Sequence, residues 1–353
     1  MRVIITAGGT GGHIMPAIAI AEALREKAKA RILFVGTDRG MEERIARTYG
    51  IDFLPIRASG IKGKRVTGLP KAFILNSLAF FSALTVTRDY RPNWVIGTGG
   101  YVTGMVVLAG HLMGARCAIQ EQNSIPGLTN RILSRFVQRV FLSFPDTLQV
   151  FPAEITIVSG NPLRKEFSRD EKQNGNALVI MGGSLGAHSI NMVAVEALKL
   201  CRDDLKGIEI IHQTGASDIS WVKDAYRETG IQGEAFAFIN NMASILRRAR
   251  LVVCRAGGIT LSELSRFGIP AIMIPFPQAA DNHQMFNAMH VSSNGGGWII
   301  PEESLTPWRL AAEIVSRLRN VEGLVKASDC MQALHLGDGA ERIAEEILKC
   351  SGA

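Results

Sequence analysis

The chain has 353 residues, of which 47% are hydrophobic and 20% are charged. That length exceeds what one hydrophobic core normally supports, so we expect two domains, and the composition excludes a disordered protein. The net charge is +7, and residues 1–160 carry 19 Lys and Arg against 10 Asp and Glu, whereas the remainder carries 20 against 22. This excess predicts an anionic partner for the first half, either lipid, a phosphate-bearing substrate or nucleic acid.

The five cysteines are scattered without a C-x-x-C pair. This spacing argues against a disulfide framework and a zinc site, and it favours a reducing cytosol. The first residues lead directly into a strand-like run, unlike a signal peptide. No window contains the roughly 18 uncharged apolar residues that crossing a bilayer requires. We therefore expect a cytosolic chain that does not span a membrane.

Short β-rich runs alternate with helix-length segments along the whole chain. In the first half the runs are RVIITA, RILFVG, NWVIGT, CAIQEQ, RVFLS and ITIVSG, and the helical segments include AIAIAEALREKA and KAFILNSLAFFSALTVTR. The second half continues with ALVIMGG, IEIIHQTG, ARLVVCRAGG and PAIMIPFP, and it ends in the amphipathic ERIAEEILK. Strands that alternate with helices are typical of parallel α/β sheets, so we predict two doubly wound domains.

The two halves begin alike. Residues 3–24 align without a gap on residues 177–198, which pairs three glycines, Thr10 with Ser184, and a Glu-Ala-Leu tripeptide with an identical one. Each half therefore opens with a strand, a glycine-rich turn and a helix. Chance similarity is the alternative, because βα turns favour glycine, but a duplicated domain is the interpretation that we prefer.

The first turn, AGGTGGHIMP at residues 7–16, has the features of an anion site. The first N–H groups of a helix have no intrahelical partner, and the helix dipole adds positive potential. Ile14 stands where the third glycine of G-x-G-x-x-G would be, and no P-loop motif occurs, which argues against dehydrogenases and P-loop NTPases. A third cluster, GTGGYVTG at 97–104, follows the run NWVI. One such turn is often ordinary turn chemistry, but three after strands favour contacts to a diphosphate.

Eight motifs, in order, resemble those of the MurG family. They are GGTGGH at 8–13, GTGGYVTG at 97–104, EQN at 121–123, GNPLR at 160–164, GGSLGA at 182–187, HQTG at 212–215, RAGGITLSE at 255–263 and DNHQMFNA at 281–288. That family transfers N-acetylglucosamine from its UDP donor to undecaprenyl-diphosphate-muramyl-pentapeptide in peptidoglycan synthesis. The resemblance covers nearly the whole chain. It implies a GT-B fold, in which two Rossmann-like domains face each other across a cleft.

The resemblance also implies that the two domains bind different substrates. Residues 1–160 would form the acceptor and membrane-side domain, and residues 161–335 would bind the UDP-sugar. A C-terminal helix at about residues 336–353 would pack back on the first domain. Within the second domain, CRAGGITLSE again reads as a strand, a glycine pair and a helix start, whose N–H groups suit a phosphate.

The family's donor contacts carry over to matching positions of this sequence. Those expected near the donor sugar are Thr10, Gly11, Gly12, Asn123 and Gln284. Those expected at the phosphates or the sugar are Arg164 and Ser184, and the helix start expected at the diphosphate comprises Gly258, Ile259, Thr260, Leu261 and Ser262. The backbone of Ile239 would read the uracil edge, and Glu263 would accept both ribose hydroxyls. A surface carboxylate without a ligand is the alternative for Glu263.

Two positions depart from the family pattern. Gln120 stands where many members have histidine, and Leu185 stands where many have glutamine. Both changes bear on catalytic detail, and neither alters the glycine framework.

The chemistry implied by the resemblance is a single inverting displacement. The muramyl C4 hydroxyl attacks the anomeric carbon of N-acetylglucosamine while UDP departs. The sequence has no Asp-x-Asp motif, so we expect no metal and no cofactor, with helix N-termini and Arg164 facing the diphosphate. His13 is the candidate general base, a structural or acceptor-binding role is its alternative, and Glu121 is the reserve base.

A lipid-linked acceptor requires work at a membrane surface. An apolar face at helical spacing comprises Phe73, Ile74, Ser77, Leu78, Phe80, Phe81 and Leu84, and the basic residues before it are Lys62, Lys64, Arg65 and Lys71. This pattern is typical of a peripheral anchor on anionic lipid, although core packing gives the same periodicity. The expected location is the cytoplasmic face of the plasma membrane. Expected partners are UDP-N-acetylglucosamine, the lipid-linked muramyl-pentapeptide, anionic lipid and other cell-wall synthesis proteins.

Two other functions are compatible with parts of this sequence. A UDP-sugar 2-epimerase of related fold could use similar diphosphate turns, but it would not need a basic and apolar first domain. A nucleic-acid-binding protein would fit a pI of about 9.3, yet the sequence shows no aromatic-interleaved basic patch or helix-turn-helix signal. We therefore expect no nucleic-acid partner.

Overall fold

The structure is a computed structural model. It describes residues 1–9, 11–38, 40–58, 69–167, 175–183 and 185–352, and of residues 69–74 it describes the backbone. The chain divides into two compact units: unit 1 comprises Met1–Lys165 and Gly337–Ala353, and unit 2 comprises Glu166–Leu336. The first boundary thus follows Lys165, somewhat later than the residue 160 expected from the sequence.

The described part of unit 1 contains a parallel sheet of seven strands. They are β1 (Arg2–Thr6), β2 (Arg31–Thr37), β3 (Asp52–Ile56), β4 (Trp94–Gly97), β5 (Arg116–Glu121), β6 (Arg139–Leu142) and β7 (Thr156–Val158). Their order in the sheet is β3-β2-β1-β4-β5-β6-β7. The helices between them are α1 (Gly11–Ala28), α2 (Glu42–Thr48), α3 (Leu69–Tyr90), α4 (Tyr101–Leu112) and α5 (Leu128–Leu133).

The described part of unit 2 contains a parallel sheet of six strands. They are β8 (Ala177–Met181), β9 (Glu209–Gln213), β10 (Gly233–Phe236), β11 (Ala249–Cys254), β12 (Ala271–Met273) and β13 (Gly297–Ile299), in the order β10-β9-β8-β11-β12-β13. Its helices are α6 (His188–Leu200), α7 (Ile219–Thr229), α8 (Met242–Leu246), α9 (Gly258–Phe267), α10 (His283–Ser293), α11 (Pro307–Arg319) and α12 (Val321–Ala333). Two doubly wound parallel α/β units confirm the predicted fold class.

The central strands are apolar throughout because both of their faces are covered. Val3 and Ile5 of β1 lie in a core cluster with α1, whereas Ile4 lies in a second cluster with α3 and α4. All three side chains are fully buried. Alternate residues of one strand therefore face opposite helix layers, which explains the continuous apolar runs of the sequence.

The strand order reverses at the same place in each unit. In unit 1 it reverses between β1 and β4, and in unit 2 between β8 and β11. In parallel α/β sheets, ligands bind beyond the carboxyl ends of the strands at such a switch point. All the glycine-rich turns singled out from the sequence follow these four strands.

The C-terminal segment forms α13 (Gly339–Ser351), which packs against α1 in unit 1. The side chain of Asp338 caps this helix by accepting two backbone N–H groups of its first turn. Ile343 and Ile347 are fully buried in the same core cluster as α1. The amphipathic pattern of ERIAEEILK therefore supplies one layer of the unit 1 core.

The apolar face of α3 is divided between the core and the surface. Phe80 and Leu84 pack against the unit 1 core. Leu78 and Phe81 are 57% and 64% exposed. Core packing therefore accounts for the first pair and not for the second. Outside the described residues or side chains lie Lys62, Lys64, Arg65, Lys71, Phe73 and Ile74.

None of the helices in the described ranges combines the length and apolar character needed to cross a bilayer.

Candidate active site

The two glycine turns of unit 1 are in direct contact. The N–H of Gly8 donates to the carbonyl of Gly99 over 3.1 Å. Gly99 and Gly100 have φ of 117° and 89°, and a Cβ at position 100 would lie 2.3 Å from the Gly8 carbonyl oxygen. Only glycine fits this backbone and this space, so the turns after β1 and β4 form one joint surface at the switch point.

His13 lies where these two turns meet. Its Nδ1 is 3.1 Å from the carbonyl oxygen of Thr98 and 3.0 Å from Oε1 of Gln122. The Thr98 hydroxyl donates to the His13 carbonyl over 2.8 Å, and a Cβ at Gly99 would lie 2.5 Å from the imidazole. A carbonyl oxygen only accepts, so Nδ1 carries the proton of the neutral ring and Nε2 has the lone pair. The half-buried ring can therefore accept a proton at Nε2.

Two backbone N–H groups of the first glycine turn, those of Gly8 and Gly9, form hydrogen bonds within the protein. Besides Gly8, the N–H of Gly9 is bonded, at 3.1 Å from Oε1 of Glu42. The same oxygen accepts the Thr37 hydroxyl over 2.9 Å, and Glu42 is fully buried. The backbone donors left to a ligand are therefore those of the first turn of α1, where Gly11 and Gly12 lie. Thr10 lies outside the described residues.

Glu121 holds the loop that follows β5. Its Oε1 accepts the backbone N–H of Asn123 over 3.1 Å. Its Oε2 accepts the backbone N–H of Gly127 over 3.0 Å and the side-chain amide of Asn130 over 2.9 Å. With both oxygens engaged and the side chain buried, Glu121 serves to fix Asn123, which favours His13 over Glu121 as the base.

Gln120, one of the two departures from the family pattern, lies inside the protein. It is fully buried, and its Nε2 donates to the hydroxyl of Ser143 over 2.9 Å. Its Oε1 accepts a hydrogen bond from Nε2 of Gln122. The departure therefore changes a buried network behind His13. Arg164, the last predicted site residue of unit 1, is half-buried and lies between β7 and the unit boundary.

The glycine turn after β8 packs on the end of β9. Gly183 and Gly186 have φ of 94° and 81°, and a Cβ at Gly186 would lie 2.1 Å from the carbonyl oxygen of Thr214. Leu185, the second departure from the family pattern, is 75% exposed. Ser184 lies outside the described residues.

Gln213 ties this turn to the segment that contains Ile239. Its Nε2 donates to the carbonyl of Gly183 over 3.0 Å, and its Oε1 accepts the N–H of Ile239 over 2.9 Å. The backbone N–H of Ile239 is therefore engaged by the protein in this structure. Gln213 of the HQTG motif thus links Gly183 to Ile239. The sequence alone did not indicate this role, because no spacing rule connects positions so far apart.

The fourth glycine turn of the switch points precedes α9. Gly257 is its N-cap, and the N–H of Leu261 donates to the Gly257 carbonyl over 3.0 Å. The donors that face outward are therefore those of Gly258, Ile259 and Thr260. Ser262 donates its hydroxyl to Gly258 within the helix, and Glu263 follows, half-buried, in the next turn.

Two side chains hold this turn from behind. Asn287 donates its amide to the carbonyl of Ala256 over 3.0 Å. Arg255 points into unit 2, where it forms an ion pair with Glu302 and donates to Ser189 over 3.0 Å. Burial raises the pKa of Glu302, but the hydrogen bonds from Arg255 and Ser189 outweigh it, so the pKa lies below its usual value. Arg255 is therefore a structural residue of the RAGGITLSE motif.

Gln284 lies at the start of α10, beside a strained turn. Asp281 and Asn282 have φ of 53° and 55°, a conformation that few residues other than glycine adopt. Oε1 of Gln284 accepts the N–H of Phe276 over 3.0 Å. Strain of this kind is often concentrated at functional sites, and here it precedes the helix that carries Gln284 and Asn287.

A buried polar chain lies beneath the glycine turn after β8. Nδ1 of His212 is 2.9 Å from the Tyr226 hydroxyl, and its Nε2 is 3.1 Å from Oδ1 of Asn191. The amide nitrogen of Asn191 donates to the Thr214 carbonyl and to Asp218. Oδ1 of Asn191 must therefore accept from Nε2–H, and Nδ1 accepts from Tyr226. The neutral form of His212 is fully satisfied.

This burial makes the stability of unit 2 depend on pH. Burial lowers the pKa of His212 from 6.5 to about 4, against a smaller opposing effect of Asp218. The unfolded chain binds a proton at this histidine below pH 6.5, whereas the folded chain binds it only near pH 4. The stabilisation that the neutral His212 gives to unit 2 is therefore complete above pH 6.5 and is lost as the pH falls toward 4. His212→Gln should therefore reduce the loss of unfolding free energy between pH 7 and pH 5 by about 2 kcal/mol, measured by urea denaturation.

The matched control is His283→Gln, which removes a half-exposed histidine of the same unit. Its free energy of unfolding should differ between pH 7 and pH 5 by the same amount as that of the wild type. Equal pH dependence in wild type and His212→Gln would contradict the assignment of a buried neutral imidazole.

No group of three or more metal-ligating side chains occurs among the described residues. All five cysteines are free. In unit 1 the structure joins His13, which follows Gly11 and Gly12 in α1, to Gln122, the neighbour of Asn123. In unit 2, Gln213 ties Ile239 to the glycine turn after β8, and α10, which carries Gln284, packs against α9.

The chain matches known proteins along nearly its whole length. The glycosyltransferase family 28 N-terminal domain matches residues 3–142, and the family 28 C-terminal domain matches residues 177–343. The UDP-N-acetylglucosamine--N-acetylmuramyl-(pentapeptide) pyrophosphoryl-undecaprenol N-acetylglucosamine transferase of Syntrophus aciditrophicus (strain SB) is 44% identical over 321 residues, 89% of each chain.

Solved structures agree with this match. The crystal structure of Acinetobacter baumannii MurG is 30% identical, covers 99% of both chains and superposes with a TM-score of 0.80. The UDP-GlcNAc 2-epimerase from Neisseria meningitidis covers 99% of this chain and 100% of its own, with a TM-score of 0.69, but at 13% identity it shares the fold alone. The GT-B type of fold is thereby confirmed, and the chain belongs to the MurG family of glycosyltransferases.

Proposed function

We propose that this protein transfers N-acetylglucosamine from UDP-N-acetylglucosamine to the muramyl C4 hydroxyl of undecaprenyl-diphosphate-MurNAc-pentapeptide, which converts lipid I to lipid II in peptidoglycan synthesis. The observation that carries the proposal is the 44% identity, over 89% of both chains, to a relative named for this donor and this acceptor. The donor binds unit 2, and the acceptor binds unit 1.

The donor site is the switch point of unit 2. The outward N–H groups of Gly258, Ile259 and Thr260 receive the diphosphate, and Ser184 from the neighbouring turn adds a hydroxyl. Glu263 accepts the two ribose hydroxyls. Leu261 and Ser262 contribute by shaping this helix start, since the N–H of Leu261 donates to the Gly257 carbonyl and the hydroxyl of Ser262 donates to the Gly258 carbonyl.

The uracil meets the backbone of Ile239. Because Gln213 already occupies the Ile239 N–H, uracil either uses the carbonyl of Ile239 or displaces the Gln213 amide. The sugar is held by Gln284, together with Thr10, Gly11, Gly12 and Asn123 of unit 1.

The transfer is a single displacement with inversion. Nε2 of His13 takes the proton of the muramyl hydroxyl as its oxygen forms the bond to the anomeric carbon, and the bond from that carbon to UDP breaks. The leaving diphosphate keeps the electron pair and is stabilised by the N-terminus of α9 and by Arg164. The enzyme requires no metal ion and no cofactor, because backbone donors and a guanidinium perform that neutralisation.

The test of this function is the transfer of label from UDP-N-acetylglucosamine to a short-chain lipid acceptor. Label in the lipid product, dependent on the acceptor, is expected. Conversion of the donor alone to its 2-epimer would instead favour the epimerase alternative, and the absence of both reactions would overturn the proposal.

We further propose that unit 1 docks on the cytoplasmic face of the plasma membrane as a peripheral protein. The helices α3, α4 and α5 pack side by side and carry large exposed apolar side chains, namely Leu78, Phe81, Leu112, Leu128 and Ile132. Exposed Arg131 and Arg135 lie beside Ile132 on the segment that includes α5. An apolar surface with neighbouring cations suits anionic lipid.

Replacement of Phe81 and Leu128 together by aspartate should weaken binding to vesicles of anionic lipid by at least about tenfold, since the change removes two apolar insertions and adds two negative charges. Vesicle sedimentation measures it. Trp308→Asp, at a side chain of unit 2 that is 73% exposed, is the matched control and should bind like wild type. If both variants bind equally well, the docking surface lies elsewhere.

A further inference from the structure

We propose that Gln122 is a positioning residue for the transfer reaction, which, together with the Thr98 carbonyl, fixes the imidazole of His13 with Nδ1 protonated and Nε2 facing the reaction as the proton acceptor. This inference rests on the proposed function, and it assigns a role to a side chain of the EQN motif that has none so far.

The orientation of the Gln122 amide is fixed by acceptors. Its Nε2 donates to the carbonyl of Thr98 and to Oε1 of Gln120. A backbone carbonyl cannot donate, so the nitrogen must face Thr98 and the amide oxygen must face His13. Gln120 is oriented by the same logic, because its Nε2 donates to the carbonyl of Glu121 over 3.1 Å.

The oriented amide then determines the state of the imidazole. Nδ1 of His13 lies 3.0 Å from Oε1 of Gln122 and 3.1 Å from the Thr98 carbonyl oxygen. Both oxygens are acceptors at this position, so Nδ1 is the protonated nitrogen. All the hydrogen bonds described for the ring go through Nδ1, which leaves Nε2 as the nitrogen for an incoming hydroxyl.

The amide side chains of this network are buried. Gln120 and Gln122 are 0% and 2% exposed. Gln120 also donates to Ser143 over 2.9 Å, and Ser143 donates to Oδ1 of Asn161 over 2.7 Å. The chain of amides therefore runs from His13 to the GNPLR motif within unit 1. Gln120 donates a hydrogen bond to Ser143 and accepts one from Gln122. Glutamine therefore meets the hydrogen-bonding needs of this network at the position where many family members have histidine.

The arrangement strengthens as the reaction proceeds. When Nε2 takes a proton, the ring becomes a cation, and the bonds from Nδ1–H to two oxygens become charge-assisted. Two buried carboxylates lie near the glycine turns, and neither is bonded to the imidazole: Glu42 accepts the Gly9 N–H and the Thr37 hydroxyl, and Glu121 accepts the N–H groups of Asn123 and Gly127.

The first measurement reads the ring directly and does not depend on activity. Protein labelled with 15N-histidine is examined by long-range 1H–15N correlation, and the His13 signals are assigned by their loss in His13→Gln. The wild-type ring is expected as one species protonated on Nδ1. In Gln122→Met, whose side chain is of similar volume, the Thr98 carbonyl is the one acceptor left at Nδ1, so the Nδ1-protonated form should remain the major species while the Nε2-protonated form becomes detectable.

The second measurement is steady-state kinetics with a short-chain lipid acceptor. Gln122→Met should lower kcat about tenfold, the cost of one hydrogen bond that strengthens in the transition state, and leave KM for UDP-N-acetylglucosamine unchanged. Gln138→Met is the matched control, because Gln138 binds the backbone N–H of Cys117 at the other end of β5 and should keep wild-type kcat.

The outcomes separate the two proposals. A wild-type ring protonated on Nε2, or a Gln122→Met protein with wild-type kcat and an unchanged ring, would overturn the role of Gln122. A wild-type protein with the Nδ1-protonated ring but without sugar transfer would overturn the proposed function instead. If Gln122→Met fails to fold, Gln120→Met, which keeps the Gln122 side chain but removes one acceptor of its Nε2, should give a smaller change of the same kind in both measurements.

Discussion

Replacement of His13 by alanine is expected to lower kcat by at least about 100-fold, the contribution of a positioned general base, while the Kd for UDP-N-acetylglucosamine stays within twofold. The reason is geometric: Nδ1 is engaged by Thr98 and Gln122, so the ring presents Nε2 as a proton acceptor. His13 is not among the proposed donor contacts, so donor affinity should not change. Rapid-quench measurement of sugar transfer and calorimetric titration of the donor provide the two values.

The control for this variant is His111→Ala, which removes a histidine of α4 that packs against Phe136 in the same unit. It should keep kcat near wild type with a short-chain acceptor. A loss of less than tenfold in His13→Ala, with donor affinity intact, would remove the base assignment and leave His13 a structural or acceptor-binding role.

Replacement of Glu263 by alanine is expected to weaken donor binding about 100-fold, because two hydrogen bonds from ribose hydroxyls to a carboxylate contribute roughly 3 kcal/mol together. At saturating donor, kcat should change little, since this contact is the same in the ground state and the transition state. Calorimetric titration with UDP gives the affinity directly.

The ligand supplies a sharper control than a second variant. With 2′,3′-dideoxy-UDP, wild type and Glu263→Ala should bind equally weakly, since this ligand offers the carboxylate no ribose hydroxyl. Glu228→Ala, at an exposed carboxylate of α7, should bind UDP like wild type. If Glu263→Ala loses the same affinity for UDP and for the dideoxy ligand, the carboxylate acts on something other than the ribose.

The central strands could be predicted because burial on both faces requires continuous apolar runs. The three strands absent from the prediction, β3, β10 and β13, lie at sheet edges. Their sequences are DFLPI, GEAF and GWI, which contain proline, glycine or charge. An edge strand has one neighbour and needs less apolar surface, so its pattern is weak.

The glycine turns could also be predicted, because positive φ and close backbone approach require glycine at those positions of the sequence. The residues that bond to these turns from other elements show no such local pattern. His13 and Gln122 are 109 positions apart, and Gln213 reaches Gly183 and Ile239 from a third element. Such contacts depend on which strands are neighbours, and only the sheet order supplies that information.

Periodicity likewise could not separate the surface of α3 from its core. Phe80 and Phe81 are adjacent and equally apolar, yet only Phe80 packs against the unit 1 core. The difference arises from the position of α4, which lies against one side of α3. The helical pattern of α3 is therefore compatible with both core packing and membrane docking, and the position of α4 distinguishes the two.

A crystal structure with UDP, grown in the presence of EDTA, tests most directly how the donor diphosphate is held. The predicted result is a diphosphate within hydrogen-bonding distance of the N–H groups of Gly258, Ile259 and Thr260, with the ribose on Glu263. A diphosphate bound away from α9, or UDP that binds only after a divalent cation is restored, would contradict it.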